Sequence, residues 1–190
     1  MVVISTVSPI FRDSSITWIG FSLKGVLFGG TVAGVLDGLD AIIYFGLRAG
    51  ANPAGIFKYI AGGLIGLEAA RAGGWGVVVL GVALHFLIAI GAAATYSVAS
   101  RLLPWLLGRV FIWGPVFGIA VYFFMNFVVL PLSLLPQRGH WPTSEVLMNQ
   151  ILIHMFGIGL PIAWFVSRST ADDNGGPEAS VPLAAGRSAR

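Results

Sequence analysis

The stretch from Trp75 to Ala99, WGVVVLGVALHFLIAIGAAATYSVA, decides the fold. It holds no Lys, Arg, Asp or Glu, and at ~1.5 Å per residue it is long enough to cross ~30 Å of hydrocarbon. Such a segment is a transmembrane helix, because within lipid a single segment must satisfy its own backbone hydrogen bonds. Three further stretches read the same way, at about 18–45, 110–134 and 146–166. The last two also lack charged side chains, whereas the first carries Asp37 and Asp40, with Lys24 close enough to its start to snorkel.

Composition agrees with this reading. The chain has 190 residues, 56% of them hydrophobic and 10% charged, with a mean hydropathy of +0.87. That is more apolar surface than one soluble domain of this length can hide, so the lipid bilayer is the expected partner. A net charge of +3, with basic residues flanking apolar runs instead of clustering with exposed aromatics, gives no support to nucleic-acid binding. The sequence has no cysteine, which excludes disulfides, thiolate nucleophiles and zinc sites of the cysteine type. Trp18, Trp75, Trp105, Trp113, Trp141 and Trp164 fall near the span ends, where indole rings favour the headgroup region. Pro115, Pro131 and Pro161 lie within or near spans and are expected to bend the helices without breaking them.

The fold class that follows is an all-α membrane protein of four transmembrane helices, with a short interfacial or re-entrant helix between the first and second. That short helix is expected at about 53–71, with Ile56, Ile60, Leu64 and Leu67 at helical spacing and Gly62, Gly63 and Gly66 thinning it. It is too short to cross. A re-entrant segment could line a pathway, and a lid over the bundle is the preferred alternative. Residues 1–16 lack the apolar core and cleavage site of a signal peptide and read as a cytoplasmic N-terminal segment, so the first span of the domain at 17–166 is expected to stay attached. Residues 167–190, rich in Ser, Asp, Gly, Pro and Ala, read as a disordered cytoplasmic tail.

Basic residues give the orientation. Arg12, Lys24, Arg101, Arg109, Arg168, Arg187 and Arg190 share the side of the termini, against Arg48, Lys58, Arg71 and Arg138, and seven against four places both termini in the cytoplasm. Without the distant tail arginines the margin narrows to five against four.

A weak internal repeat runs through the chain. Laying Gly25 on Gly114 superposes Phe28-Gly29 on Phe117-Gly118 and Asp37 on Asn126, and laying the second span on the fourth puts His85 on His154. Duplication of a two-helix hairpin and chance similarity in apolar sequence both account for this.

The polar residues define the candidate site. Counting ~1.5 Å per residue from the span ends, Asp37, His85, Asn126 and His154 fall at a common depth, roughly 14 Å from one face. Helical periodicity places them on inward stripes: Gly30, Ala33, Asp37, Asp40 and Tyr44; Gly81, His85, Ala92 and Tyr96; Ile119, Tyr122, Asn126 and Ser133; Gln150, His154 and Pro161. Asp37, Asp40, His85, Asn126 and His154 are thus expected to form one intramembrane layer, with Tyr44, Tyr96, Tyr122 and Gln150 as secondary polar residues. Two carboxylates one turn apart in a low dielectric should not both ionise unless an imidazole or a bound cation balances them.

Three functional classes compete. A small transporter or proton- or cation-handling component would use the acids and imidazoles as a titrating relay, whereas a structural or accessory subunit would use the layer to fix helix packing. An intramembrane enzyme is disfavoured, because both acids share one helix and no His-Glu-x-x-His spacing occurs. Asp and His can ligate a metal, which leaves a metal site open. No cofactor is expected, and four spans make so narrow a bundle that a solute pathway calls for a homo-oligomer.

The segment Tyr59 to Arg71 (YIAGGLIGLEAAR), His85-Phe86, and Phe117-Gly118 leading to Met125-Asn126-Phe127-Val128-Val129-Leu130-Pro131-Leu132 resemble an uncharacterised family of small bacterial inner-membrane proteins related to YagU. The resemblance covers most of the chain apart from the tail. It implies a bacterial inner-membrane location and a helical bundle, and it supplies no catalytic residue.

Overall fold

The structure is a computed structural model that describes residues 22–136 and 142–174. Four long apolar helices form the molecule: a first span, Leu23–Ala49, a second, Trp75–Leu102, a third, Val110–Leu132, and a fourth, Ser144–Asp172. Each is long and apolar enough to cross a membrane, so the chain is an integral membrane protein by length and composition. At ~1.5 Å per residue, the first and second spans exceed ~30 Å and must tilt or project beyond the hydrocarbon.

Local sequence chemistry sets the helix ends. The Ser22 side chain accepts from the Gly25 N–H at 3.4 Å, and Gly50, in the left-handed conformation at φ 61°, closes the first span by donating its N–H to the Gly46 carbonyl at 3.1 Å. Asn52 then caps Pro53–Ile65, accepting from the Gly55 N–H at 2.6 Å with Pro53 in the first turn. Gly66, at φ 85°, turns the chain sharply, and a separate short helix, Leu67–Ala72, follows. The single element expected over 53–71 is therefore two helices, split at the one position whose backbone needs glycine.

Pro53–Ile65 is tied to one end of the bundle. It starts just after the first span ends, and its Gly63 carbonyl accepts the N–H of Leu134, just beyond the end of the third span, at 2.9 Å. The first and third spans run in the same direction, so both ends of this helix sit at the same end of the molecule. It packs on the second span where Gly81 leaves no room for a Cβ against the Phe57 backbone. Short additions complete the framework: Trp105–Gly108 joins the second and third spans, and the exposed Arg48 and Glu145 side chains pair where the first span ends and the fourth begins.

Close packing comes from small residues. A Cβ at Gly25 would lie 2.9 Å from Val166 Cα, one at Gly114 2.9 Å from Leu160 Cα, and one at Gly30 2.6 Å from Ile90 Cα. Such contacts carry helix association in lipid, where hydrophobic exclusion no longer drives it. Around them Val26, Ala33, Ala93, Tyr96, Ile158, Ile162, Ala163 and Val166 form the buried core, while Leu39, Leu47, Trp75, Leu102, Phe111 and Leu132 stand outward.

Several details differ from the sequence expectation, the first two spans running on to Ala49 and Leu102 among them. The fourth helix continues past Val166 to Asn174, so 167–174 is helix and not tail; Ser167, Arg168, Ser169 and Thr170 prolong it, with Thr170 buried and donating to the Val166 carbonyl at 2.8 Å. The third span stops at Leu132, because Ser133 turns to extended backbone. The prolines do more than bend: turns of π-helix precede both Pro131, at Met125–Val129, and Pro161, at Ile153–Gly159. In each, the residue before the proline donates five residues back, Leu130 to Met125 and Leu160 to Met155. A proline ring clashes with the carbonyl four residues earlier, and widening the preceding turn relieves that clash. The expected segment 1–16, the start of the first span at Trp18, and Trp141 and Arg138 lie outside the described residues, as does 175–190.

Candidate functional site: a polar-floored cavity between the spans

Asp37, His85, Asn126 and His154, one from each span, line a single cavity of about 670 Å³, together with Tyr122 and Gln150. The helix Pro53–Ile65 contributes Gly55, Ile56, Tyr59 and Ile60 to the same cavity, which also reaches Ala33 and Ile158. Among the described residues, no Lys or Arg lines it.

The hydrogen bonds fix which atom of each side chain remains for a ligand. His85 Nε2 lies 2.8 Å from the Gly34 carbonyl and His154 Nδ1 lies 2.8 Å from the Gln150 carbonyl. A carbonyl only accepts, so these two ring nitrogens carry hydrogen, and in the neutral imidazoles His85 Nδ1 and His154 Nε2 are acceptors. Asn126 spends one of its two amide N–H groups on the Tyr122 carbonyl at 2.9 Å, keeping the other and the acceptor Oδ1. Asp37 Oδ2 lies 4.0 Å from His85 Nδ1. Two acceptors therefore face each other, and a donor belongs between them. The Asp37 side chain keeps 28% of its exposure and that of His85 11%, so both remain reachable from the cavity.

Glycine places these groups. Gly38 brings the first span close to His85, where a Cβ would lie 3.3 Å from Nε2, and Gly34 supplies the carbonyl that holds the ring. On the other side Gly118 lets the third span rest on the His154 backbone, with Tyr122 meeting the imidazole edge-on at 5.4 Å. His154 is 7% exposed.

The remaining sequence candidates lie elsewhere. Asp40 does not line the cavity; it turns between the first and fourth spans, where Oδ2 accepts from Asn149 Nδ2 at 2.9 Å. It still lies within electrostatic reach of Asp37 and His154. The Tyr44 ring stacks under Arg48, with its hydroxyl unpartnered among the described residues. Tyr96 is fully buried near the opposite end of the second span and donates to the Leu106 carbonyl at 2.9 Å, a structural bond remote from the layer. The separation of Asp40 from Asp37 has a simple cause: three residues apart on a helix is roughly 60° of azimuth, enough for one to face the cavity and the other the next helix.

Sequence reasoning missed Asn149 and Tyr59. Asn149 directly precedes Gln150, and its polarity within an uncharged span was a readable signal. Tyr59 reaches the cavity only because Pro53–Ile65 packs beside the spans, which periodicity could not show. Also missed was that Asn126 and His154 each sit in a π turn ahead of a proline.

Among the described residues, no three His, Cys, Asp or Glu side chains converge as a metal-ligand set. No family model matches the chain, and neither a curated protein nor a solved structure is similar to it.

Proposed function

We propose that this chain is a small transport component of the bacterial inner membrane, with cytoplasmic termini, that takes up protons or cations in the cavity at Asp37 and His85. The observation that carries the proposal is the pair of facing acceptors, Asp37 Oδ2 and His85 Nδ1, at 4.0 Å on the wall of a cavity. A proton taken up by either group is attracted to the other, and a cation entering the cavity displaces it. Ionisable groups at this depth are expensive unless function requires them. The basic-residue count and the resemblance to YagU-related proteins support the location and orientation. A homo-oligomer would complete a pathway that four helices alone leave narrow.

The test is proton flux in proteoliposomes with a trapped pH-sensitive dye, beside thermal melting. Asp37→Asn should reduce flux at least tenfold without lowering the melting temperature, whereas Asp40→Asn should leave most flux intact. Unchanged flux in a folded Asp37→Asn protein refutes the proposal. A second reading, in which the layer serves as an accessory packing device, draws support from the same hydrogen bonds, since both imidazoles and Asn126 are held by backbone carbonyls. It requires melting to fall while flux is indifferent to Asp37.

A further inference from the structure

Both imidazoles on the floor of the cavity spend their N–H on backbone carbonyls, which leaves an acceptor nitrogen on each, and Asn126 spends one of its two amide hydrogens in the same way and keeps Oδ1. These acceptors stand beside the carboxylate of Asp37, the one Asp, Glu, Lys or Arg among the described residues that line the cavity. Among the described residues, no Lys or Arg lines the cavity to set a positive charge against Asp37. Such a floor rejects anions by charge. It also favours a cation over a neutral alcohol, which brings no charge for the Asp37 carboxylate to meet.

A primary ammonium group complements this floor, with one positive charge and three N–H donors for an acceptor-rich set. The rest of the cavity specifies the body attached to it. Phe45, Ile56, Ile60, Ile88, Val121 and Val146 make its walls mostly apolar, and its volume of about 670 Å³ lies within the roughly 300–1,000 Å³ typical of small-molecule sites. We infer that the cavity binds a primary alkylammonium ion with an apolar body, its ammonium held by the acceptors of Asp37, His85, Asn126 and His154. This rests on reading the cavity as a solute site, and it names the class of solute.

The experiment is calorimetric titration of the purified full chain in detergent with 2-phenylethylammonium. Comparison probes are its N,N,N-trimethyl analogue, 2-phenylethanol and 3-phenylpropanoate. The ammonium should bind, the trimethyl and alcohol probes should bind at least about tenfold more weakly for want of donors or charge, and the carboxylate should not bind. Asp37→Asn should weaken the ammonium by roughly tenfold to a hundredfold. Ala41→Phe, which fills the cavity while keeping every acceptor, should also abolish or strongly weaken binding, and serves should Asp37→Asn not fold. Equal binding of the ammonium and the alcohol, an indifferent Asp37→Asn, or no binding to the wild type overturns the inference. Proton flux without amine binding sinks the solute class alone. Amine binding without proton flux supports the solute class and sinks the proton-handling proposal.

Discussion

Replacing Gly118 with alanine should loosen the contact that positions His154, by an amount that a matched control isolates. A Cβ at 118 would overlap the His154 carbonyl and lie 2.8 Å from Met155 Cα, about 1 Å inside the ~3.5–4.0 Å optimum for carbon pairs. The obstacle is backbone, so no rotamer change relieves it and the third and fourth spans must separate. Overpacking of this kind costs ~1–3 kcal/mol, with a rigid obstacle at the upper end, while alanine regains ~1 kcal/mol of helix propensity. The net loss is about 2 kcal/mol. Gly91 supplies the control, being exposed on the second span with nothing within 4 Å of a Cβ, so Gly91→Ala keeps only the propensity gain of up to ~1 kcal/mol. The difference between the two variants cancels propensity and leaves the packing cost, about 3 kcal/mol. Unfolding in mixed micelles with increasing dodecyl sulfate measures it. A difference below about 1 kcal/mol would show that the two spans do not meet at Gly118, and the placement of His154 on the cavity would fall with it.

Other consequences are equally checkable. Asn149→Leu should destabilise by ~1–3 kcal/mol, by leaving Asp40 without its hydrogen bond, and adding Asp40→Leu should restore much of that loss in the same unfolding assay. Tyr96→Phe should cost about 1–2 kcal/mol through the stranded Leu106 carbonyl yet leave proton flux at the wild-type level, since Tyr96 is remote from the cavity; reduced flux at constant stability would return it to the site. Arg48→Ala should change stability by less than about 1 kcal/mol and make it less salt-dependent, because both partners of the Glu145 pair are more than half exposed.

What was legible in the sequence is what helix geometry alone determines. The rise of ~1.5 Å per residue put Asp37, His85, Asn126 and His154 at one depth, and a turn of 3.6 residues put them on inward faces; both follow from the position of a residue within its own helix. The same arithmetic sets Tyr96 apart, since it shares the azimuth of His85 but lies roughly 16 Å farther along the helix. Asp40 depended on something else: it lies on the edge of its stripe, and which neighbour an edge residue meets is set by crossing angles that periodicity does not encode. Asp40 met Asn149, and Tyr96 met the chain just past the second span. The helical continuation through 174 was hidden by composition, since Ser, Arg and Asp suit a tail as well as a helix end packed on its neighbours. The π turns were hidden for a different reason. Pro131 and Pro161 announce a perturbation, but whether the helix kinks, breaks or widens depends on the helices beside it.

The internal repeat shows how packing reassigns what sequence similarity pairs. If the third span copied the first and the fourth the second in a two-fold arrangement, then Gly25 and Gly29 resting on the fourth span would require Gly114 and Gly118 to rest on the second. They rest instead on the fourth, against Leu160 and the His154 backbone, while Gly25 and Gly29 meet Val166 and Ile162 farther along the same helix. Both glycine pairs thus share one partner. The fourth span, held by glycines of the first near one end and of the third nearer its middle, separates those two helices beyond the point where all three approach. Residues of the first and third spans, among them Asp37 and Asn126, both line the cavity, and Pro53–Ile65 adds to its lining. The asymmetry therefore has a physical consequence that a symmetric four-helix packing would lack: it opens space at the depth where Asp37 and His85 face each other, so a ligand can reach acceptors that tighter packing would have sealed.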